Sequence, residues 1–300
     1  MQIQAIAPAK INLTLDIMSR RPDGYHEVDM LMQSVSLYET VTVDANPNDT
    51  NTEGSITISC NKEGVPCDSS NIAYKAAIAF FEYTKRTHGD IHIDIKKQIP
   101  FGAGLAGGSA DGAAVIVILN RLYNTALKVD ELCEIGAKVG ADVPFCITGG
   151  TKRAVGIGTT FKKVPKLTKC FIVICKPEIS VSTAKAYALA DSRTGAKFSY
   201  TDLCANALYK GSVRNVCDFL HNDFEEVLSL KEINDIKSIM LNNKALGSAM
   251  SGSGSAVFGI FLTEKKAKAC AEILRGDYED VFVVTPVKEG VIITDIKVSE

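Results

Sequence analysis

The chain has 300 residues, enough for two packed lobes and a large buried core. Its 33 basic and 35 acidic residues leave a formal charge of −2, which excludes the basic stripe of a nucleic-acid binder and points to a small-molecule partner. The longest apolar runs, such as "AAVIVIL" and "CFIVIC", fall short of the roughly 20 residues of a membrane helix, and "MQIQAIAPAK" lacks a signal peptide's basic start and long apolar stretch.

"KINLTLDIM" alternates, with Ile11, Leu13, Leu15 and Ile17 on one face and Lys10, Asn12, Thr14 and Asp16 on the other, the pattern of a half-buried strand. Pro22, Asp23 and Gly24 in "RRPDGYH" suit a tight reversal. "SVSLYETVTVDA" and "GSITISC" add strands. A helix is expected from about Asn71 to Arg86, capped by Ser70 or Asn71 and ending before Gly89. "IHIDIKKQI" alternates again. After a glycine run, "SADGAAVIVILNRLY" is apolar nearly all round and reads as a helix buried between layers, followed by a helix over "DELCEIGAKVG". The glycine-rich "GGTKRAVGIGTTFKK" marks a boundary, giving lobes 1–160 and 161–300. The second lobe opens with the strand "CFIVICKP", passes through several helices, and closes with "SAVFGIFL", "VFVVTPV" and "GVIITDIKV"; it reads as α+β. Nine cysteines with no Cys-x-x-Cys, several in apolar stretches (Cys146, Cys170, Cys175), read as reduced core residues of a cytoplasmic protein. The four scattered histidines have no spacing that joins them to cysteines in a zinc site.

The stretch "PFGAGLAGGSADGAA" carries the chemistry. Unpaired N–H groups and the positive end of the helix dipole suit a phosphate, and glycines let it approach several donors. Gly102, Gly104 and Gly107 also spell the dinucleotide fingerprint G-x-G-x-x-G. That reading needs a buried parallel strand just before the loop, whereas "IHIDIKKQIP" is amphipathic and ends in charges and a proline. A nucleoside-triphosphatase loop would need Gly-Lys-Ser/Thr, which is missing from the sequence. A merely tight helix start would explain one or two glycines. A second glycine loop, "SAMSGSGSAVFG", lies between a helix and a strand; it reads either as a flexible connection or as a closure over a transferring group.

Together, "APAKINLTLDI", "PFGAGLAGGSADGAA" and "SAMSGSGSAVFGIF" resemble the three ordered motifs of the GHMP kinases. "RRPDGYHEVDMLMQSVSLYE", "NIAYKAA" and "GADVPFCITGG" resemble one branch, whose acceptor is a diphosphocytidyl methylerythritol of the non-mevalonate isoprenoid route. The resemblance implies a two-lobe α+β fold with mixed and antiparallel sheets, packed helices, and ATP with Mg2+ between the lobes. It implies transfer of the γ-phosphoryl group to the acceptor's 2-hydroxyl. It places Asn71, Pro100, Gly102, Ala103, Gly104, Leu105, Ala106, Gly107, Gly108, Ser109 and Ala110 at the nucleotide, with Gly252, Ser253 and Gly254 closing over it. Asp142 would be the catalytic base and Lys10 its partner, neutralising charge in the transition state. Tyr25 and Tyr187 would sandwich cytosine while His26 reads its edge; Asn12 and Thr183 would complete the acceptor site.

Read without the resemblance, Asp142 caps a helix, Lys10 is a solvated lysine, Tyr25 and His26 are a surface pair beside a turn, and Tyr187 packs on a sheet. The family's Gly-Leu-Gly-Ser-Ser-Ala core here reads Gly-Leu-Ala-Gly-Gly-Ser-Ala. Gly112 stands where alanine is expected, costing under about 1 kcal/mol and loosening the loop. Asp111 places a negative charge near the phosphates that magnesium or the helix N-terminus must offset, so the magnesium ligands stay unassigned. Alternatives are another GHMP-family kinase (mevalonate, homoserine or sugar), an NAD-dependent oxidoreductase, or a non-catalytic RNA binder, the last disfavoured by charge. The oligomeric state is open.

Overall fold

The computed structural model describes residues 1–47, 54–167, 169–192 and 198–297. The first half runs β1 (Gln2–Arg20), β2 (His26–Ala45), β3 (Ile56–Cys60), α1 (Ile72–Thr84), β4 (Ile91–Lys96), α2 (Gly107–Leu122), α3 (Val129–Val139), α4 (Val143–Thr148), β5 (Thr151–Gly156) and β6 (Thr160–Lys163). The second runs β7 (Phe171–Lys176), α5 (Thr183–Asp191), α6 (Tyr200–Tyr209), α7 (Val213–Cys217), β8 (His221–Asn222), α8 (Asp223–Leu228), α9 (Lys231–Asn242), β9 (Gly247–Met250), β10 (Val257–Phe261), α10 (Glu264–Leu274), β11 (Asp280–Val284) and β12 (Ile292–Lys297).

A mixed sheet has the order β12-β1-β2-β4-β3, with the β5–β6 hairpin on β2 and the short β8 on β1; a second, antiparallel sheet has the order β11-β7-β10-β9. β1 and β2 are far longer than an ordinary strand and bend at register shifts, one of them between Asn12 and Thr14. Bending lets one end of β2 pair with β5 and the other with β4.

Three sequence expectations change. The half-buried strand over 10–18 is buried on both faces from Ala7 to Ile17, because α2 covers the apolar side while α6 and the loop after β9 cover the polar one. The glycine-rich stretch near 150–165 is not a linker: Gly156 and Gly158 turn a hairpin that extends the first sheet. The final strand, expected in the second lobe, instead pairs antiparallel with β1 (Ile3 opposite Ile296), so the chain returns to the sheet where it began; residue 298 lies outside the described residues.

The buried central helix is as expected, with every residue from Ala110 to Ile116 out of solvent. Asn71 caps α1, its Oδ1 accepting from Ala73 N at 2.8 Å. Gly112 tightens the fold rather than loosening it: a Cβ there would stand 2.8 Å from Ile72 Cγ2, so the α1–α2 contact has no room for alanine.

Candidate active site

Residues of the first sheet, the phosphate loop, α5 and the loop between β9 and β10 line a cleft of about 910 Å3. On one side the chain leaves β4, turns through Gly102 and Gly104 at positive φ, and enters α2 from Ala106 in the left-handed region. Ala110 N makes the first helical bond, to Ala106 O, so the N–H groups of Gly107, Gly108 and Ser109 precede the helix's own pairing. Pro100 to Ser109 line the cleft. Ala110 and Asn71 do not: Ala110 is fully buried, and the Asn71 carboxamide is spent on its cap and on Pro66 O.

The second glycine loop is sewn to the first. Ser251 Oγ donates to Gly104 O at 2.9 Å, and Ala256 N donates to Ala103 O at 3.0 Å. A Cβ on Gly104 would lie 2.0 Å from Ser251 O, so no side chain fits where the loops meet. Asn222, which the sequence reading missed, holds the loop from below by donating to Met250 O and Gly252 O.

Lys10 and Asp142, far apart in the chain, face each other across this junction, with Nζ 3.8 Å from Oδ2. Lys10 is 3% exposed, not the solvated lysine that its strand position alone suggests. Asp142 occupies the N-cap position of α4, yet its side chain makes no capping bond and remains 32% exposed. Pro144 stands in the first turn of that helix. The cap reading thus falls away, and the carboxylate is left to the cleft. Asn12 is buried, and its Oδ1 accepts from Lys10 Nζ at 2.7 Å and from Gly252 N at 3.0 Å. It orients Lys10 and the second loop, and it also lines the cleft.

At the other end Tyr25 is 61% exposed, while His26 stacks on Tyr187 with centroids 4.3 Å apart. Tyr25 and Tyr187 both line the cleft, and His26 covers one face of the Tyr187 ring. Asp191, unforeseen from sequence, lies 2.7 Å from His26 Nε2. Since a carboxylate only accepts, Nε2 carries the proton, and in a neutral ring Nδ1 is the acceptor. Thr183 shares a 2.7 Å hydroxyl contact with Ser253 and so joins α5 to the second loop.

Beneath the phosphate loop, Lys97 Nζ lies 2.5 Å from Glu39 Oε1 and 2.8 Å from Asp111 Oδ2. Asp111 therefore points into the protein rather than at the cleft, which removes the expected repulsion. Burial pushes its carboxyl up to about 7, and Lys97 only partly offsets this. Away from the cleft lining, His221, Asp223 and Glu226 bring potential ligand atoms within 4.8 Å of one another, but His221 Nε2 is already 3.1 Å from Asp223 and its ring stacks on Tyr200. Among the described residues no helix is long and apolar enough to cross a membrane.

Residues 71–150 match the family of GHMP kinases N terminal domains, and residues 205–280 match GHMP kinases C terminal. The chain belongs to the GHMP kinases and is an ATP-dependent small-molecule kinase. It is 44% identical over 279 residues to the 4-diphosphocytidyl-2-C-methyl-D-erythritol kinase of Acetivibrio thermocellus, a match covering 92% of this chain and 96% of that one. It is 46% identical to the enzyme of the same name from Carboxydothermus hydrogenoformans, covering 87% and 89%. A crystal structure of 4-(cytidine 5'-diphospho)-2C-methyl-D-erythritol kinase superposes with a TM-score of 0.77 at 29% identity, covering 94% of this chain and 98% of that one. Homoserine kinase from Cytophaga hutchinsonii, at 18% identity and a TM-score of 0.81, shares the fold.

Proposed function

We propose that the enzyme phosphorylates the 2-hydroxyl of 4-diphosphocytidyl-2-C-methyl-D-erythritol with ATP, serving the non-mevalonate route to isoprenoid precursors. The observation that carries this reading is the Lys10–Asp142 pair, set where the two glycine loops meet. The loop from Gly102 to Ser109 presents backbone donors to the ATP phosphates. Asp142 takes the proton of the 2-hydroxyl as its oxygen attacks the γ-phosphorus; the bond from that phosphorus to the β–γ bridging oxygen breaks, and ADP leaves. Lys10, dry and held by Asn12, offsets the charge that gathers on the transferring group. Ser109, at the cleft, would offer an oxygen to a magnesium ion, whereas Asp111 is engaged by Lys97. When bound, magnesium supplies charge neutralisation at the β- and γ-phosphates.

The acceptor's cytidine lies at the Tyr25–His26–Tyr187 end. His26, with Nε2 turned to Asp191, offers Nδ1 to the amino group of cytosine, and the exposed Tyr25 ring offers a face for stacking. The phosphate loop belongs to the first lobe and the closing loop to the second, with the β5–β6 hairpin and β12 on the first. Nine free cysteines, six of them buried, suit a reducing cytoplasm.

The test is coupled ATP turnover with the diphosphocytidyl acceptor against mevalonate, homoserine, galactose and a uridine analogue. Turnover with the cytidine acceptor alone is expected, because uracil exchanges the donor amino group for an acceptor. Equal use of the uridine analogue, or preference for another acceptor, overturns the assignment.

A further inference from the structure

A second cavity, of about 700 Å3, lies between the β5–β6 hairpin and helices α3 and α4. It shares α4 with the active-site cleft: Asp142 just before that helix lines the cleft, while Pro144 and Thr148 within it line the second cavity. Its floor has an uncompensated charge pattern. Lys152 on β5 and Lys163 on β6 are direct cross-strand partners, so both side chains stand on one face, an arrangement that destabilises a hairpin when the charges are alike.

No ion pair relieves them among the described residues. Lys152 is half-buried, with its Nζ 5.4 Å from the centre of the Phe161 ring. Burial pushes its ammonium below the usual lysine range, and the neighbouring Lys163 adds to the push. The half-buried Lys152 ammonium and the exposed Lys163 on the same hairpin face, beside an apolar wall of Phe161, Pro144 and Ala137, are complementary to an anion carrying a small apolar group. On the opposite wall α3 carries Asp130 and Glu134, which repel a long polyphosphate and limit the guest to a compact one.

We propose that this cavity is a binding site for a small phosphate monoester, its phosphate bridging Lys152 and Lys163 and its apolar group lying on Phe161 and Pro144. Because α4 begins directly after Asp142, occupancy alters turnover without competing with ATP.

The test uses the full-length enzyme saturated with a non-hydrolysable ATP analogue, so that the phosphate loop is filled, and titrates phenyl phosphate and inorganic phosphate by calorimetry. Phenyl phosphate is expected to bind more tightly than phosphate, and Lys152→Met/Lys163→Met to lose at least tenfold in affinity. In steady-state assays phenyl phosphate should change kcat non-competitively with ATP in the parent and not in the double variant. Lys163→Met alone, without anion, should melt about 1–2 °C higher, because it removes the like-charge pair; this also shows that the variant is folded. Unchanged affinity in the double variant, no binding at millimolar concentration, or an effect purely competitive with ATP overturns the proposal.

Discussion

Two buried lysines face acids in this molecule, and they do so differently. Lys97 lines the cleft as Lys10 does but is held by two acids: Glu39 and Asp111, both out of solvent, approach it to 2.5 and 2.8 Å. Lys10 is left open, its tight contact being with the neutral Asn12 and its one carboxylate, Asp142, lying 3.8 Å away and facing the cleft. The closed cluster satisfies its own charge and joins β2, the end of β4 and the first turns of α2. The open pair keeps its charge for what enters. Desolvation is paid at both places, but only at Lys10 is the electrostatic return deferred until substrate arrives.

The strongest way to break this contrast is at the open pair. Asp142→Asn removes the base without touching the phosphate loop, so kcat is expected to fall by about 10²–10⁴ while ATP affinity, measured by calorimetry, stays within a few-fold. Lys10→Ala should also lower kcat more than it raises the acceptor KM, since its charge matters most in the transition state. Turnover near wild type in either variant would mean that the pair is structural after all.

At the closed cluster the expected loss is stability. Lys97→Met leaves two buried carboxyls without their cation, and removing one member of such a set costs about 3–5 kcal/mol, readable as a lower urea midpoint. A variant as stable as its parent would show that the carboxyls simply take up protons.

Between the two lies Asn12, which holds Lys10 back from Asp142. Asn12→Ala frees Lys10 to close on the carboxylate and drops the bond to Gly252 N. Turnover is expected to fall about tenfold, the equivalent of ~1.4 kcal/mol, with ATP affinity little altered. An unchanged kcat would show that Lys10 keeps its place without help.

The contrast also separates what the sequence discloses from what it does not. The glycine loop is legible as a place of close approach because so many glycines need a reason, and at Gly104 part of that reason is the Ser251 carbonyl of the second loop. The buried α2 is legible from its unbroken apolar surface. Neither lysine's partner is legible from periodicity: Lys10 and Asp142 come together through the β1–α4 contact, and Glu39 and Lys97 look like ordinary strand-end charges until α2 is laid over them. Hairpin β5–β6 was hidden for a different reason, since glycines that turn a hairpin and glycines that loosen a linker look alike in sequence. Asp191 was hidden because only the fold places the end of α5 beside the start of β2.

The smallest expected effect lies in the closed cluster's response to pH. The Asp111 carboxyl is pushed from an ordinary 3.8 up to about 7, chiefly by burial. Between those values the folded protein holds a proton that the unfolded chain has released, so this group's contribution to stability declines as pH rises through the window. Glu39 is raised for the same reason and adds a slope of the same sign. Asp111→Asn cannot ionise and removes its own share while leaving that of Glu39. Thermal unfolding at pH 5, 6, 7 and 8 should therefore show wild type losing stability relative to Asp111→Asn as pH rises, with the difference levelling above about 7. A constant difference, or one that grows in favour of wild type toward pH 8, would mean that Asp111 is ionised throughout and that its attraction to Lys97 outweighs the burial of its charge.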